Sequence, residues 1–151
     1  MKKLILFLLG FIFTLGVSAQ TENPVKWSYS SKKTGDKTID VILTATIAPG
    51  WHLYSQDAGE GPQSTEITFT KNPLIKEDEK TREEGKLIKE FDPNFNSVLK
   101  FYSNKATFIQ KFKLKSTTAT VAKGKITYMV CNDKKCLPPK TVPFSVKVTG
   151  K

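Results

Sequence analysis

The sequence contains two cysteines, Cys131 and Cys136, which lie close together near its C-terminal end. A bond between them would close a very small ring. In the chain-entropy model such a ring constrains the unfolded chain by only about 2 kcal/mol, against roughly 4.7 kcal/mol for a 100-residue loop. The residues between the cysteines are polar, so we expect the ring to face solvent. A disulfide at this spacing is better placed to open and close than to stabilise a fold.

The N-terminal residues have the order of a secretory signal peptide. Two lysines precede an apolar stretch over residues 4–17, and small residues follow up to Ala19. We therefore predict a signal peptide over residues 1–19 and a mature domain over residues 20–151, which is periplasmic or secreted. A membrane-spanning helix needs about 20 apolar residues, and this stretch is shorter. We therefore expect no stable membrane insertion after cleavage. Export to an oxidising compartment favours a disulfide between the cysteines.

Metal binding and hydrolysis are the other chemistries open to the two cysteines. A structural zinc site needs about four Cys or His ligands, whereas this chain has two cysteines and a single histidine, His52, far away in sequence. We expect no metal and no organic cofactor, because a dithiol is itself a redox group. A hydrolytic cysteine would need His52 as its base and a further group to orient that base. The sequence does not identify such a group, and cysteine-dependent hydrolysis is kept as an alternative.

The chain is strongly basic, with a formal net charge of +10 that falls to +8 when the two lysines of the signal peptide are removed. A charge of this size first suggests a nucleic-acid partner. The lysines are scattered through strand-like segments and are not clustered, and export would separate the protein from nucleic acid. We therefore predict a soluble, lysine-biased surface and no nucleic-acid binding.

Apolar and polar residues alternate along most of the mature sequence, which is the period of a half-buried β-strand. The alternating residues are Val25, Trp27 and Tyr29; Ile39 to Ile47; Ile67 and Phe69; Ala106 to Leu114; Ile126, Tyr128 and Val130; and Val142 to Val148. Turn residues rich in Gly, Pro, Asn and Asp separate them, including a predicted turn at Gly124. Several short strands at this spacing predict an all-β protein, an immunoglobulin-like antiparallel β-sandwich in one domain.

The segment 76–90 differs from the rest of the chain in its composition. Its charges nearly balance, its residue types are typical of a helix, and Gly85 interrupts it. We interpret the segment as a solvent-exposed insertion that forms a brief helix or an irregular edge.

The residues around the cysteines resemble a known family. The run Tyr-x-x-Cys-x-Asp-x-x-Cys-Leu-Pro-Pro over residues 128–139 is similar to the N-terminal periplasmic domain of the thiol:disulfide interchange protein DsbD. The stretch Gly-Trp-His-Leu-Tyr over residues 50–54 and the aromatic pair Phe101 and Tyr102 add to the resemblance, which covers residues 25–148. The chain has Leu99 and Lys100 where the family has acidic residues, and one residue fewer between its cysteines.

The resemblance implies an immunoglobulin-like sandwich with a redox-active disulfide at one end. Cys136 would form the mixed disulfide with a partner, and Cys131 would resolve it. Phe101 would lie over the pair as the aromatic residue of a cap loop, with Tyr102 beside it. Such a domain takes electrons from DsbD-like proteins and passes them to thioredoxin-fold proteins of the periplasm. We expect a free-standing version whose electron donor is a separate polypeptide.

Two functions follow from these observations. The first is a secreted or periplasmic thiol–disulfide interchange module, a thiol–disulfide oxidoreductase that relays reducing equivalents through Cys131 and Cys136. The alternative is a non-enzymatic β-sandwich that binds a protein or a glycan and contains a structural disulfide. Trp51 and Tyr54 keep the glycan version open, because exposed aromatic rings can stack on sugars.

Overall fold

The computed structural model describes residues 22–149, so the predicted signal peptide over residues 1–19 lies outside the described part. Residues 22–149 form eleven β-strands and no helix, which confirms the all-β prediction. The strands are β1 (Val25–Gly35), β2 (Thr38–Ile47), β3 (His52–Tyr54), β4 (Glu66–Phe69), β5 (Ile75–Glu84), β6 (Leu87–Asp92), β7 (Ser97–Ser103), β8 (Lys105–Leu114), β9 (Thr120–Tyr128), β10 (Val130–Cys131) and β11 (Lys140–Val148).

The strands form three antiparallel sheets, with the orders β1-β2-β8-β5, β11-β9-β4 and β10-β3-β7-β6. The first two sheets meet through aromatic side chains. The ring of Trp27 on β1 lies 5.5 Å from that of Tyr128 on β9, and Phe112 on β8 lies 5.0 Å from Phe69 on β4. This arrangement confirms the predicted immunoglobulin-like sandwich.

The main core follows from the alternating pattern of the long strands. On β2 every second residue from Ile39 to Ile47 is buried, and on β8 Phe108 is fully buried directly opposite Leu43. The third sheet packs against the same core through Leu53, Tyr102 and Val130. One continuous apolar interior therefore supports all three sheets.

Segment 76–90 forms parts of two strands, so the predicted brief helix is wrong, while the predicted irregular edge is confirmed. β5 is the edge strand of its sheet, with a shift of register between Asp78 and Arg82. Its charged side chains pair with side chains of β2 and β8: the Arg82 guanidinium lies 2.9 Å from the Asp40 carboxylate of β2, and Lys113 of β8 lies 2.9 Å from Asp78. These charges are typical of a helix surface, and they suit a solvent-exposed sheet edge equally well.

Gly124 lies inside β9, so the predicted turn at this position is wrong. A Cβ atom on Gly124 would lie 2.2 Å from the backbone oxygen of Thr68 and 2.5 Å from the Phe144 ring. The glycine is therefore required by close packing across the sheet. A glycine inside a strand commonly marks such a close approach.

The predicted strand over Ile126, Tyr128 and Val130 is divided between two sheets. β9 ends at Tyr128, and after Met129 the chain enters β10, which pairs with β3. All three apolar residues still point into the main core, as the alternation predicts. The change of sheet carries the next residue, Cys131, into the smallest strand of the fold.

Candidate functional site

Cys131 and Cys136 form a disulfide, with 1.97 Å between the sulfur atoms and 4.0 Å between the Cα atoms. They lie opposite each other in a tight hairpin. Two hydrogen bonds flank them, from the Asn132 N–H to the Lys135 carbonyl and from the Leu137 N–H to the Val130 carbonyl, each 2.9 Å long. The cysteines thus occupy a pair without mutual backbone hydrogen bonds, the position where antiparallel strands approach most closely.

The side chain of Asn132 shapes the turn of this hairpin. Its Oδ1 atom accepts hydrogen bonds from the backbone N–H groups of Lys134 and Lys135, both 2.9 Å long. This is the local bonding by which Asn favours turns. The Lys135 ammonium group also lies 2.7 Å from the Glu22 carboxylate, so the turn is linked to the segment before β1.

The two cysteines differ strongly in exposure. Cys131 is 2% exposed and belongs to a small second core with Tyr54, Ala58 and Leu99. Cys136 is exposed to solvent. A thiol that arrives from solution therefore meets Cys136 first, while Cys131 is shielded.

The register of the third sheet assembles the residues around Cys131. Residues directly opposite on neighbouring strands point to the same face of a sheet. Cys131 is opposite His52 on β3, Tyr54 is opposite Phe101 on β7, and Phe101 and Leu99 are opposite Ile88 and Glu90 on β6. One face of the small sheet consequently gathers the disulfide, two aromatic rings, the histidine and a carboxylate.

His52 lies among these rings. Its ring centroid is 4.5 Å from that of Phe101, and its Nε2 atom is 3.3 Å from the Tyr54 hydroxyl. Burial lowers the pKa of His52 below its ordinary value, although nearby carboxylates partly oppose this shift. Burial also raises the pKa of Tyr54 to about 12, so its hydroxyl stays protonated at neutral pH.

An acidic cleft opens beside His52 and Phe101. Three carboxylates line it: Glu90 and Asp92 from β6 and Asp133 from the hairpin turn. Sequence reasoning missed Glu90, which ends the segment 76–90 interpreted as an insertion, and Asp92, which lies just beyond that segment. The signal that finds them is the pairing of β6 with β7, which the sequence does not reveal.

An apolar groove lies on the other side of the hairpin. Its lining residues include Tyr128, Val130, Leu137, Pro138 and Pro139. Lys135, Lys140 and Glu22 also line this groove, and Lys135 is ion-paired with Glu22. Leu137, the residue after the exposed Cys136, therefore belongs to an apolar surface that has charged groups at its margin.

The aromatic pair expected to cover the disulfide is divided between the two faces of β7, and the predicted cap loop is a strand. Phe101 packs against the small core that contains Cys131. Tyr102 lies in the main core, where its hydroxyl donates a 2.6 Å hydrogen bond to Glu83 and its ring is 6.4 Å from that of Phe108. Neighbouring residues of a strand point to opposite faces, so Tyr102 does not lie beside Phe101.

The ring of Tyr54, considered above as a surface for stacking on a sugar, is buried. Tyr54 is 1% exposed, which leaves no open ring face for a sugar. Within residues 22–149 no three Cys, His, Asp or Glu side chains are grouped as metal ligands would be. The same part of the chain holds no helix of the length and apolar character needed to cross a bilayer.

Fold and site together define an immunoglobulin-like β-sandwich with an asymmetrically exposed disulfide in a surface hairpin. The family model described as "Thiol:disulfide interchange protein DsbD, N-terminal" matches residues 19–147. The chain belongs to this family of thiol–disulfide interchange domains. No curated protein matches the sequence.

Solved structures of related domains share the fold. The N-terminal periplasmic domain of ScsB from Proteus mirabilis has a TM-score of 0.53 and 19% identity over 83% of this chain. The match covers 45% of the ScsB chain, so this protein spans less than half of its length. The complex of the DsbD and PilB N-terminal domains from Neisseria meningitidis gives a TM-score of 0.51 and 15% identity, with 80% of each chain covered.

Proposed function

We propose that the protein is a periplasmic or secreted thiol–disulfide oxidoreductase that relays reducing equivalents through the Cys131–Cys136 disulfide. The observation that carries the proposal is the asymmetry of the pair: Cys136 is exposed, and Cys131 is buried directly beside it. Thiol–disulfide exchange requires access of a thiolate to one sulfur atom. The membership of the chain in the interchange family supports the same function.

Reduction of the domain proceeds in two exchanges. A donor thiolate attacks the Cys136 sulfur, the bond between the cysteines breaks, and Cys131 leaves with the electron pair and takes up a proton. A second donor thiolate then attacks the donor sulfur of the mixed disulfide, so the donor becomes a disulfide and Cys136 is released as a thiolate. The reduced domain passes the electrons on by the reverse sequence, in which Cys136 attacks and Cys131 resolves.

The partners that suit this chemistry are thioredoxin-fold proteins and DsbD-like redox proteins. A related DsbD N-terminal domain has a solved structure in complex with the PilB N-terminal domain, which supports a protein partner for this chain. The apolar groove beside the hairpin, which includes Leu137 and Pro138, is a suitable contact surface. The neighbouring Lys134 and Lys135 favour a thiolate on a released Cys136, while Asp133 opposes it.

Equilibration of the protein with glutathione buffers tests whether the disulfide is a redox group. We expect a reduction potential above about −300 mV, because bonds with lower potentials are typical of structural disulfides. Free thiols are quantified by alkylation and mass spectrometry at each ratio of reduced to oxidised glutathione. A potential below that value, together with no exchange toward a thioredoxin, would identify a structural bond. The variant with both cysteines replaced by Ser provides the zero-thiol control.

Phe101→Ala tests the role of the ring that packs against the small core. In the native protein we expect glutathione to attack only Cys136. Loss of the ring exposes Cys131 to the same thiol. We expect a second adduct at Cys131 and a total rate of attack about 2-fold higher, because two parallel reactions with similar barriers add their rates. Reactions of the oxidised protein are quenched with acid, and peptide mapping locates the glutathione adduct.

The matched control for this experiment is Val98→Ala. Val98 is 50% exposed and lies on the opposite face of β7 from Phe101, so its truncation leaves the environment of the disulfide intact. An unchanged rate and an adduct confined to Cys136 in the Phe101 variant would show that the ring does not shield Cys131.

A further inference from the structure

The buried position of Cys131 raises a problem of proton transfer. When Cys131 resolves a mixed disulfide, its thiol must lose a proton, and it regains one when it leaves. A thiolate is unfavourable in apolar surroundings, and Cys131 is 2% exposed among Tyr54, Ala58 and Leu99. A nearby group that accepts and returns this proton would remove the cost of a buried, unpaired charge.

His52 is the titratable residue that the sheet places directly opposite Cys131. In an antiparallel pair, opposite residues have Cβ atoms about 4.5–5.5 Å apart and point to the same face. An imidazole at that separation can exchange a proton with the sulfur directly or through one water molecule. The ring is held in place from two sides, because it packs 4.5 Å from Phe101 and its Nε2 atom faces the Tyr54 hydroxyl.

We propose that His52 is the acid–base residue for Cys131 in thiol–disulfide exchange. The proposal rests on the relay function and assigns a specific step to His52. The proposal uses the tautomer in which Nε2–H donates to the Tyr54 hydroxyl, because the lone pair of Nδ1 is then free to accept the proton.

The proposed step is the resolution of a mixed disulfide. The Cys131 sulfur attacks the Cys136 sulfur and gives its proton to the neutral imidazole of His52. The bond between the two cysteines forms, the bond from Cys136 to the partner breaks, and the partner leaves as a thiolate. The imidazolium then returns the proton to solvent or to the departing thiolate. The dithiol of this protein is oxidised, and the disulfide of the partner is reduced.

The titratable groups that surround His52 lie on β6, on the hairpin turn and on its own strand, β3. β6 contributes Glu90 and Asp92, the hairpin turn contributes Asp133, and the neighbouring residue on its own face is Tyr54. Burial lowers the pKa of His52, and the three carboxylates moderate that effect. A histidine with a lowered pKa is neutral at pH 7 and is therefore ready to act as a base.

The aromatic disulfide dithionitrobenzoate separates the two exchange steps without a protein partner. Mixed with the reduced protein in a stopped-flow instrument, it releases one coloured thiol when Cys136 attacks it. It releases a second when Cys131 resolves the adduct. Cys131→Ser should show the first phase alone, which assigns the second phase to Cys131.

We expect His52→Gln and His52→Phe to slow the second phase about 100-fold at pH 7, since general acid–base catalysis contributes roughly 10²- to 10⁴-fold. The Gln variant retains a hydrogen-bonding group, and the Phe variant retains a ring against Phe101, so the two together separate proton transfer from packing. The first phase should remain unchanged in both.

The pH profile distinguishes a base from a merely structural histidine. In the native protein the second-phase rate should be independent of pH near pH 7. It should decrease at more acidic pH, once the pH falls below the lowered pKa of His52 and the imidazole becomes protonated. In both variants it should instead rise about tenfold per pH unit, because the rate then follows the thiolate fraction of Cys131. A second phase with native rate and native pH profile in both variants would overturn the proposal. Failure of the relay function would appear separately, in the glutathione potential and in exchange with a thioredoxin.

Discussion

Cys136→Ser abolishes the mixed disulfide with a thioredoxin-fold protein, whereas Cys131→Ser makes it accumulate. This is the expected result if Cys136 is the attacking residue, because it is exposed and Cys131 is 2% exposed. The probe is a thioredoxin with a single active-site cysteine, activated as its thionitrobenzoate disulfide. Non-reducing electrophoresis and mass spectrometry of the intact complex measure the yield, which should fall to background in the Cys136 variant.

The native protein provides the third arm of this experiment. Its reduced form should form the complex briefly and then release the thioredoxin, since Cys131 remains available to resolve it. Circular dichroism should show the same strand content in all three proteins, because the main core does not include either cysteine. Equal trapping by the Cys136 and Cys131 variants would contradict the assigned roles.

Phe108→Ala should reduce the free energy of unfolding by about 3–5 kcal/mol, the range for a fully buried phenylalanine. Phe108 is 0% exposed, and its ring lies 5.8 Å from that of Trp27 and 6.4 Å from that of Tyr102. It thereby connects β1, β7 and β8, so the cavity left by its removal would weaken contacts among these three strands. Urea denaturation of the oxidised protein, followed by tryptophan fluorescence, measures the change.

Phe91→Ala is the matched control for this loss of stability. The chemical change is identical, but Phe91 on the edge strand β6 is 57% exposed. Substitutions at such surface positions usually change stability by no more than about 0.5 kcal/mol. A comparable loss in the two variants would show that Phe108 does not have the central packing role described above.

The sequence predicts the long strands because burial and alternation coincide in them. Residues Ile39 to Ile47 and Ala106 to Leu114 show the pattern clearly, and they form β2 and β8. β3 has three residues, which is too short for a periodic pattern to be detected. β5 is rich in Lys and Glu because it is a solvent-exposed edge, so composition alone suggested a helix.

The sequence predicts the part of the candidate site that is formed by residues close together in the chain, namely the disulfide hairpin. The spacing of Cys131 and Cys136 permits the hairpin, and the structure shows the disulfide. The remainder depends on which strands pair and in which register. That information places His52 opposite Cys131, brings Glu90 from β6 and directs Tyr102 to the opposite face from Phe101. None of these relations follows from spacing along the chain.

The chain passes from one sheet to another at Met129, and this has a consequence for repeated oxidation and reduction of the protein. It places Cys131 on a two-residue strand and in a small cluster apart from the main core. We expect reduction to loosen this tip while the interior of the sandwich keeps its packing. Repeated cycles of oxidation and reduction would then change the conformation of the tip alone and leave the stability of the sandwich unaffected.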